Sequence, residues 1–339
     1  METLSNKNLS NYVTMKLGGQ AKEIVIVYTE DDVVESFEYA QKNSMKIITI
    51  GDGTNVIFSD HGFDGLVILN RIKGLSMDAE SGLVVVASGE KWDDVVQRSI
   101  ELGLCGIEAM TAIPGTVGAS PINNIGAYGQ ELSETLLSVR AYDSQTKSFV
   151  DINNSDCAFV YRNSRFKSKD YGRFIICGIT LQLKKIPENY QTPAYPSLIA
   201  ELDNRGITKP TPSDVRQALF TVRNSKLPNP ADLPNSGSFF KNPVVSTDRA
   251  SEILKQYPEM PNWPLVNTGY VKLSAGWLIE NAGLKGYRQG GIWIYDKQAL
   301  VLVNESAKRF KDLWYMAEHI IKVVDQKFKV VLEPEPEII

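Results

Sequence analysis

The chain has 339 residues, 43% of them hydrophobic and 22% charged, with a formal net charge of −4. That length holds two or three domains with real cores, and the mild negative charge gives no general attraction for nucleic acid or an anionic membrane. Cys105, Cys157 and Cys177 are scattered and odd in number, and His61 and His319 are the sole histidines. Composition therefore offers no disulfide framework, no zinc site and no His-based triad. The opening METLSNKNLSNYV lacks an apolar signal core, and no apolar run reaches membrane-spanning length, so a reduced cytoplasmic protein without membrane insertion is expected.

In chain order, Glu23–Tyr28 (EIVIVY) predicts a buried strand. Thr29 can cap a helix with Asp32 at the capping-box position, its apolar Val33, Val34 and Phe37 turned inward. Lys46–Ile50 predicts a second strand that runs into Gly51-Asp52-Gly53-Thr54-Asn55 and then Val56–Phe58; Gly65–Leu69 predicts another. Further strands are expected at Leu83–Ser88, Thr135–Tyr142, Ser148–Val150 and Arg173–Leu183. A helix at Lys91–Leu102 carries Trp92, Val95, Val96 and Ile100 on one side. Prolines break the chain between Pro187 and Pro196 and again at Pro210-Thr211-Pro212, around short helices at Ser197–Asn204 and Ser213–Asn224. Leu227-Pro228-Asn229-Pro230 marks the approach to a separate domain. There the pattern predicts strands at Gly237–Phe240 and Ala299–Val303 and helices at Thr247–Gln256 and Ser274–Asn281. A long helix, Ser306–Lys327, follows with a core stripe of Phe310, Leu313, Trp314, Ala317, Ile321 and Val324, and a last strand at Lys329–Leu332 precedes EPEPEII.

Two segments resist this classification. Ala109–Gln130 reads AMTAIPGTVGASPINNIGAYGQ, uncharged throughout, too irregular for an amphipathic helix and too rich in glycine for a strand. Its main-chain N–H groups need acceptors, which a large polar ligand can supply, or else the segment is a buried loop between core elements. GDGTNVIF at Gly51–Phe58 has Val56 where a dinucleotide fingerprint needs its third glycine, and a strand follows it instead of a helix. Its amides can form a nest for a pyrophosphate, or the segment is a plain Asp-Gly hairpin turn.

GDGTNVIF, IPGTVGASPINNIGAYGQE, YRNSRFK at Tyr161–Lys167, GSFFKNPVV at Gly237–Val245 and KLSAGWLIENAGLKG at Lys272–Gly286 occur in that order. Together they resemble the UDP-N-acetylenolpyruvoylglucosamine reductases over nearly the whole chain. The Tyr161-Arg162 pair and the Pro193-Ala194-Tyr195 region are similar to the longer, proteobacterial-type subfamily. The resemblance implies an α+β fold: a two-lobed vanillyl-alcohol-oxidase-type (PCMH-type) FAD-binding module, residues 1–75 and 76–226, and a C-terminal α+β substrate-binding domain, 227–339. It implies FAD held non-covalently, NADPH as co-substrate, UDP-N-acetylglucosamine-enolpyruvate as substrate, no metal, and a monomer. The implied FAD contacts are Gly51, Asp52, Gly53, Thr54, Asn55 and Val56 in the turn. In the loop they are Ile113, Pro114, Gly115, Val117, Gly118, Ser120, Ile122, Gly126, Ala127 and Tyr128.

A hydride added to the β-carbon of an enolpyruvyl ether leaves an enediolate, which needs a charge partner for its carboxylate and a proton for the α-carbon. Arg162 has the planar fork for a carboxylate, and is otherwise a surface arginine beside Arg165 and Lys167. Ser238 matches the family's proton donor, and by itself is a serine in a Gly-Ser turn; Lys241 lies three residues on. Glu335 matches the family's third catalytic residue in an L-x-P-E segment, with Glu333 as the alternative. Pro336 and Glu337 stand where the family has Val-Arg. Substrate contacts carry over to Tyr161, Tyr195, Lys226, Asn242 and Gln298. Val13-Thr14-Met15 and Tyr295 are further departures, replacing Asn-Thr-Phe and a histidine. The competing readings are an FAD-dependent oxidase of the same superfamily and a non-catalytic sugar-nucleotide binder.

Overall fold

The computed structural model describes residues 2–265 and 268–339. They divide into two compact units, one of Met1–Lys7, Ala21–Asp52 and Phe63–Ser225, the other of Asn8–Gln20, Gly53–Gly62 and Lys226–Ile339.

The first unit opens with a four-stranded sheet ordered Glu2–Asn8, Gln20–Val27, Phe63–Asn70, Lys46–Ile50, the last three strands running parallel. Parallel neighbours require a crossover, and helix α1 (Glu30–Lys42) supplies it. The expected capping box is present: Thr29 Oγ1 accepts from Asp32 N–H at 3.1 Å while the Asp32 carboxylate accepts from Thr29 N–H at 3.1 Å. Val33, Phe37 and Ala40 of α1 bury against Val25, Val27, Leu66 and Ile68. A five-stranded antiparallel sheet follows, ordered Ser148–Asn153, Leu136–Asp143, Phe174–Gln182, Leu83–Ala87, Leu75–Met77. Helix α2 (Trp92–Glu101) lays Trp92, Val95 and Val96 on it, and Trp92 Nε1 donates to the Met110 carbonyl at 3.1 Å, which anchors the start of the glycine-rich segment. Helices α3 (Pro196–Asn204) and α4 (Pro212–Lys226) enclose a small core of Ala109, Leu198, Leu202, Val215, Ala218 and Leu219.

The second unit has a four-stranded sheet, Asn235–Ser238, Val301–Asn304, Ile292–Ile294 and Arg288–Gln289, and a three-stranded one, Val244–Ser246, Tyr270–Leu273 and Asn262–Leu265. Helices α5 (Thr247–Gln256), α6 (Ala275–Asn281) and α7 (Phe310–Phe328) pack into one core with them. The fully enclosed face of α7 is Leu313, Met316, Ala317, Ile320 and Val324, with Phe310, Trp314 and Ile321 at its margin. The helix begins at Phe310, the first residue of its apolar stripe, four residues later than the expected Ser306. Asp60, distant in sequence, caps it by accepting from Phe310 and Lys311 N–H at 2.6 and 3.1 Å, while Ser306 N–H is drawn to the Gly291 carbonyl.

The end of the chain also departs from expectation. Lys329 is the left-handed cap of α7 at φ 55°, and among the described residues Lys329–Leu332 pairs with no strand. Pairing starts later: Lys241 N–H donates to Glu333 O at 2.9 Å, Phe240 bridges Pro334, and Glu335 N–H donates to Phe239 O at 2.8 Å. Glu337–Ile338 then forms a parallel pair with Val56–Ile57. Backbone bonds from Glu337 N–H to Asn55 O, from Ile339 N–H to Ile57 O and from Ser59 N–H to Ile339 O also tie the terminus down.

Candidate active site

In the first unit, Gly51 follows directly from the strand Lys46–Ile50 and meets the glycine-rich loop at Thr116. A Cβ on Gly51 would overlap Thr116 Oγ1 and lie 3.2 Å from its Cβ, so only glycine lets the two backbones approach this closely. Asp52 is gripped by Lys91, with Arg71 Nη2 at 4.0 Å, and Arg71 Nη1 donates to Gly51 O at 2.9 Å. Lys91 and Arg71 escaped the sequence reading, because neither lies in a motif and each reaches the turn from another element.

The loop is more self-contained than its composition implied. Gly118 and Val117 N–H donate to Ser88 and Glu90 carbonyls at 2.9 Å each, and Ser120, Ile122 and Ile125 close short internal turns. Ala112 and Tyr128 hold left-handed backbones at φ 57° and 50°, costly for side chains with a Cβ. The N–H groups of Gly115, Thr116 and Asp52 donate to no protein acceptor among the described residues. These open donors, beside two cations, are what a dinucleotide's pyrophosphate requires. The residues present thus fit FAD.

Arg162 also sits at φ 53°, in a turn closed by a Val160–Asn163 bridge. Its Nη2 donates to Gly126 O at 2.9 Å, and its guanidinium lies 5.5 Å from the Tyr161 ring centroid. A strained, half-buried arginine bonded to the loop carrying Gly126, Ala127 and Tyr128 is not the loose surface residue of the bland reading. Arg223 on α4 is close enough to feel both Arg162 and Tyr128: burial pushes its pKa down, and the Tyr128 hydroxyl opposes that. Sequence reasoning missed it, although it lies one helical turn before Lys226. Tyr195 is half-buried, its ring edge-on to Tyr128 with centroids 5.0 Å apart.

In the second unit, the remainder of the turn is backed by Val13-Thr14-Met15. Thr14 N–H donates to Gly53 O at 3.0 Å, and Gly53 holds φ 64° with Val13 Cα where a Cβ would go. The N–H groups of Gly53, Thr54 and Asn55 also find no protein acceptor among the described residues. The hairpin alternative fails, because Val56–Ile57 pairs with Glu337–Ile338 and not with Lys46–Ile50.

Ser238 ends its strand opposite Val301, after a register shift at Gly237, whose φ of 72° turns the chain. It is half-buried, whereas Phe239 and Phe240 behind it are wholly enclosed and pack edge to face. The bond from Glu335 N–H to Phe239 O places Glu335 beside the residue that follows Ser238. Glu333 instead pairs with Lys241 at 3.4 Å, its side chain 74% exposed. Asn242 and Gln298 converge on α6: Asn242 Oδ1 accepts from Ala275 N–H at 2.9 Å, and Gln298 Oε1 lies 3.2 Å from a Cβ built on Gly276. Lys226 closes α4 and is exposed.

Cys105, Cys157 and Cys177 are free and buried. Burial pushes the Cys157 thiol up to about 11 and the Cys177 thiol to about 12, so neither is a nucleophile at neutral pH. Among the described residues no helix is long and apolar enough to cross a membrane.

Comparison with known proteins gives the same picture. Residues 21–149 match a family model described as an FAD binding domain, and residues 229–339 match the C-terminal domain of UDP-N-acetylenolpyruvoylglucosamine reductase. A reductase of that name from Neisseria meningitidis is 40% identical over 334 residues, covering 97% of this chain and 95% of its own. The one from Escherichia coli O157:H7 is 37% identical over 332 residues, with the same coverage of each chain. The crystal structure of the Thermus caldophilus reductase superposes with a TM-score of 0.68 over 99% of this chain and 98% of its own, at 22% identity, which supports the fold. With sequence relatives at this level along nearly its whole length, the chain belongs to the UDP-N-acetylenolpyruvoylglucosamine reductase family.

Proposed function

We propose that this protein reduces the enolpyruvyl group of UDP-N-acetylglucosamine-enolpyruvate to the lactyl ether of UDP-N-acetylmuramate, with NADPH as reductant and FAD bound non-covalently, as a cytoplasmic monomer in peptidoglycan synthesis. The observation that carries this reading is the near full-length identity with reductases of that name. When bound, FAD supplies hydride transfer from NADPH to the enolpyruvyl β-carbon.

The protein's own part is to hold the cofactor, the substrate and one proton. In the first unit, main-chain N–H groups of Asp52, Gly115 and Thr116 would meet the pyrophosphate, with Lys91 and Arg71 adding positive charge. Arg162 would bind the carboxylate, where charge builds as the β-carbon accepts hydride, and Glu335 would help stabilise the enediolate. Ser238 would give its hydroxyl proton to the α-carbon. Hydroxyl ionisation is unfavourable at neutral pH, so reprotonation from solvent must follow each turnover. Tyr161, Tyr195, Lys226, Asn242 and Gln298 would hold the nucleotide sugar. The functional division at residues 75 and 226 into two cofactor lobes and a substrate domain belongs to the same proposal.

The test is anaerobic stopped-flow mixing of the flavin-loaded protein with NADPH, then with the enolpyruvyl nucleotide. The proposal predicts bleaching in the first mix and recovery of yellow colour in the second. Recovery with air but not with the nucleotide would assign an oxidase instead. A protein that stays colourless when supplied with FAD would be a binder only.

A further inference from the structure

Glu108 is 3% exposed, carries a carboxylate, and has no role in the chemistry above. Among the described residues no cation pairs with it. Three neutral donors hold it instead: Gly106 N–H, Gln130 Nε2 at 2.9 Å, and the Tyr190 hydroxyl at 2.8 Å. A buried carboxyl group satisfied only by hydrogen bonds makes each donor count, since losing one leaves a buried acceptor unsatisfied.

Two of those donors come from segments with different tasks. Gln130 stands in the short strand Gln130–Glu131, which pairs with Gly126–Ala127 of the cofactor loop, and its Oε1 also accepts from Ala109 N–H at 2.7 Å. Tyr190 lies in the proline-rich segment leading to Tyr195. The Tyr195 carbonyl accepts from Leu198 and Ile199 N–H at 3.0 Å each, starting α3. Tyr190, Tyr195 and Tyr128 all pack on the same small core as Ala109 and Leu198.

We propose that Glu108 is a positioning residue that couples the cofactor loop to the segment bearing Tyr195, through Gln130 on one side and Tyr190 on the other. Filling the cofactor loop stiffens Gly126–Gln130, which fixes Glu108, which fixes Tyr190 and hence the reach of Tyr195. Only the consequence for substrate rests on the functional reading above; the coupling is a property of this unit alone. By reciprocity, whatever factor FAD contributes to ordering the Tyr195 segment, that segment contributes to FAD affinity.

The experiment is hydrogen–deuterium exchange on the full-length protein with and without FAD, in wild type and in Tyr190→Phe, which removes one hydroxyl and keeps the ring. In wild type, FAD should slow exchange at residues 195–199 as well as at 113–128. In Tyr190→Phe, exchange at 195–199 should rise about 10-fold or more, the factor expected for leaving a buried acceptor unsatisfied. FAD should no longer slow that segment, although it still protects 113–128. The FAD dissociation constant should rise by the factor of protection lost. In turnover, the KM for the enolpyruvyl nucleotide should rise while bleaching by NADPH keeps its rate.

If FAD slows residues 195–199 equally in both proteins, the coupling is refuted and Tyr190 is a local prop. An unchanged FAD dissociation constant despite lost protection also refutes it. If wild type shows the exchange pattern but no turnover, the functional reading fails and the coupling stands. Glu108→Gln gives an independent check, since it should remove the same FAD-dependent slowing without touching either tyrosine.

Discussion

The close approach of Gly51 to Thr116 can be tested with one methyl group. In Gly51→Ala the new Cβ would overlap Thr116 Oγ1 and press to 3.2 Å from Thr116 Cβ and 3.4 Å from Cγ2. Thr116 is 4% exposed, and its neighbour Val117 donates to Glu90 O, so the threonine has little room to yield. Overpacking of this kind costs about 1–3 kcal/mol, and stiffening the unfolded chain returns about 0.4–1 of that, leaving about 1–2 kcal/mol. The larger effect should be on flavin. Separating the two backbones by even a few tenths of an ångström pulls Gly115 and Thr116 N–H away from Asp52. Loss of one charge-assisted bond weakens binding by about 10–100-fold. Urea denaturation of the apo-protein reads the first quantity, and FAD titration followed by quenching of flavin fluorescence reads the second. Thr116→Ala in the same chain removes Oγ1 and Cγ2 and should restore most of both. Wild-type stability and flavin affinity in Gly51→Ala, or no recovery in the double variant, would refute the reasoning.

Asp143 makes a two-point ion pair with Arg173, at 2.9 and 2.7 Å. Arg173 holds its pKa down to about 2 against the opposing effect of burial, with the Gln145 N–H assisting. A depressed carboxyl stabilises the fold above its unfolded pKa and loses that contribution as pH falls through about 4 to about 2, here about 2.5 kcal/mol. Asp143→Asn should therefore be less stable than wild type at pH 7 and nearly equal to it at pH 2; a gap independent of pH would contradict the pair. Glu335→Gln should slow the enolpyruvyl step at least about 100-fold, whereas Glu333→Gln, which breaks an exposed pair with Lys241, should change stability and turnover little. The reverse ranking would move the role to Glu333. Arg162→Gly and Arg162→Ala should be equally inactive, but the glycine variant should be about 1 kcal/mol more stable because φ 53° is free of strain only for glycine. Equal stabilities would mean that the backbone relaxes on substitution.

Local rules gave most of the first unit. Thr29 and Asp32 announced α1, and unbroken apolar runs announced the parallel strands, since those signals act within a few residues. Where the sequence misled, a distant partner had decided the matter. Asp60 sets the start of α7, and the strand Val56–Ile57 takes Glu337–Ile338 as its neighbour in place of any earlier segment. The glycine-rich loop shows both sides of this. Its composition correctly suggested open main-chain donors, but Ser88 and Glu90 carbonyls consume those of Val117 and Gly118 and leave Gly115 and Thr116. Arg162 and Ser238 lie in the motifs that carry the family resemblance and could be proposed from it. Arg223, Lys91, Tyr190 and Glu108 could not, because their importance lies in contacts across more than twenty residues of sequence.

The central claim is the proposal that the Ser238 hydroxyl, at the end of the strand Asn235–Ser238, gives the α-carbon its proton once the β-carbon has taken hydride. Ser238→Ala keeps the strand pairing with Val301 and removes only that hydroxyl. The direct measurement is the rate of each half-reaction in this variant by anaerobic stopped flow. The account predicts bleaching by NADPH at the wild-type rate and recovery of colour with the enolpyruvyl nucleotide slowed about 10²–10⁴-fold, the usual worth of a general acid. Recovery at the wild-type rate, or equal slowing of both steps, would contradict it.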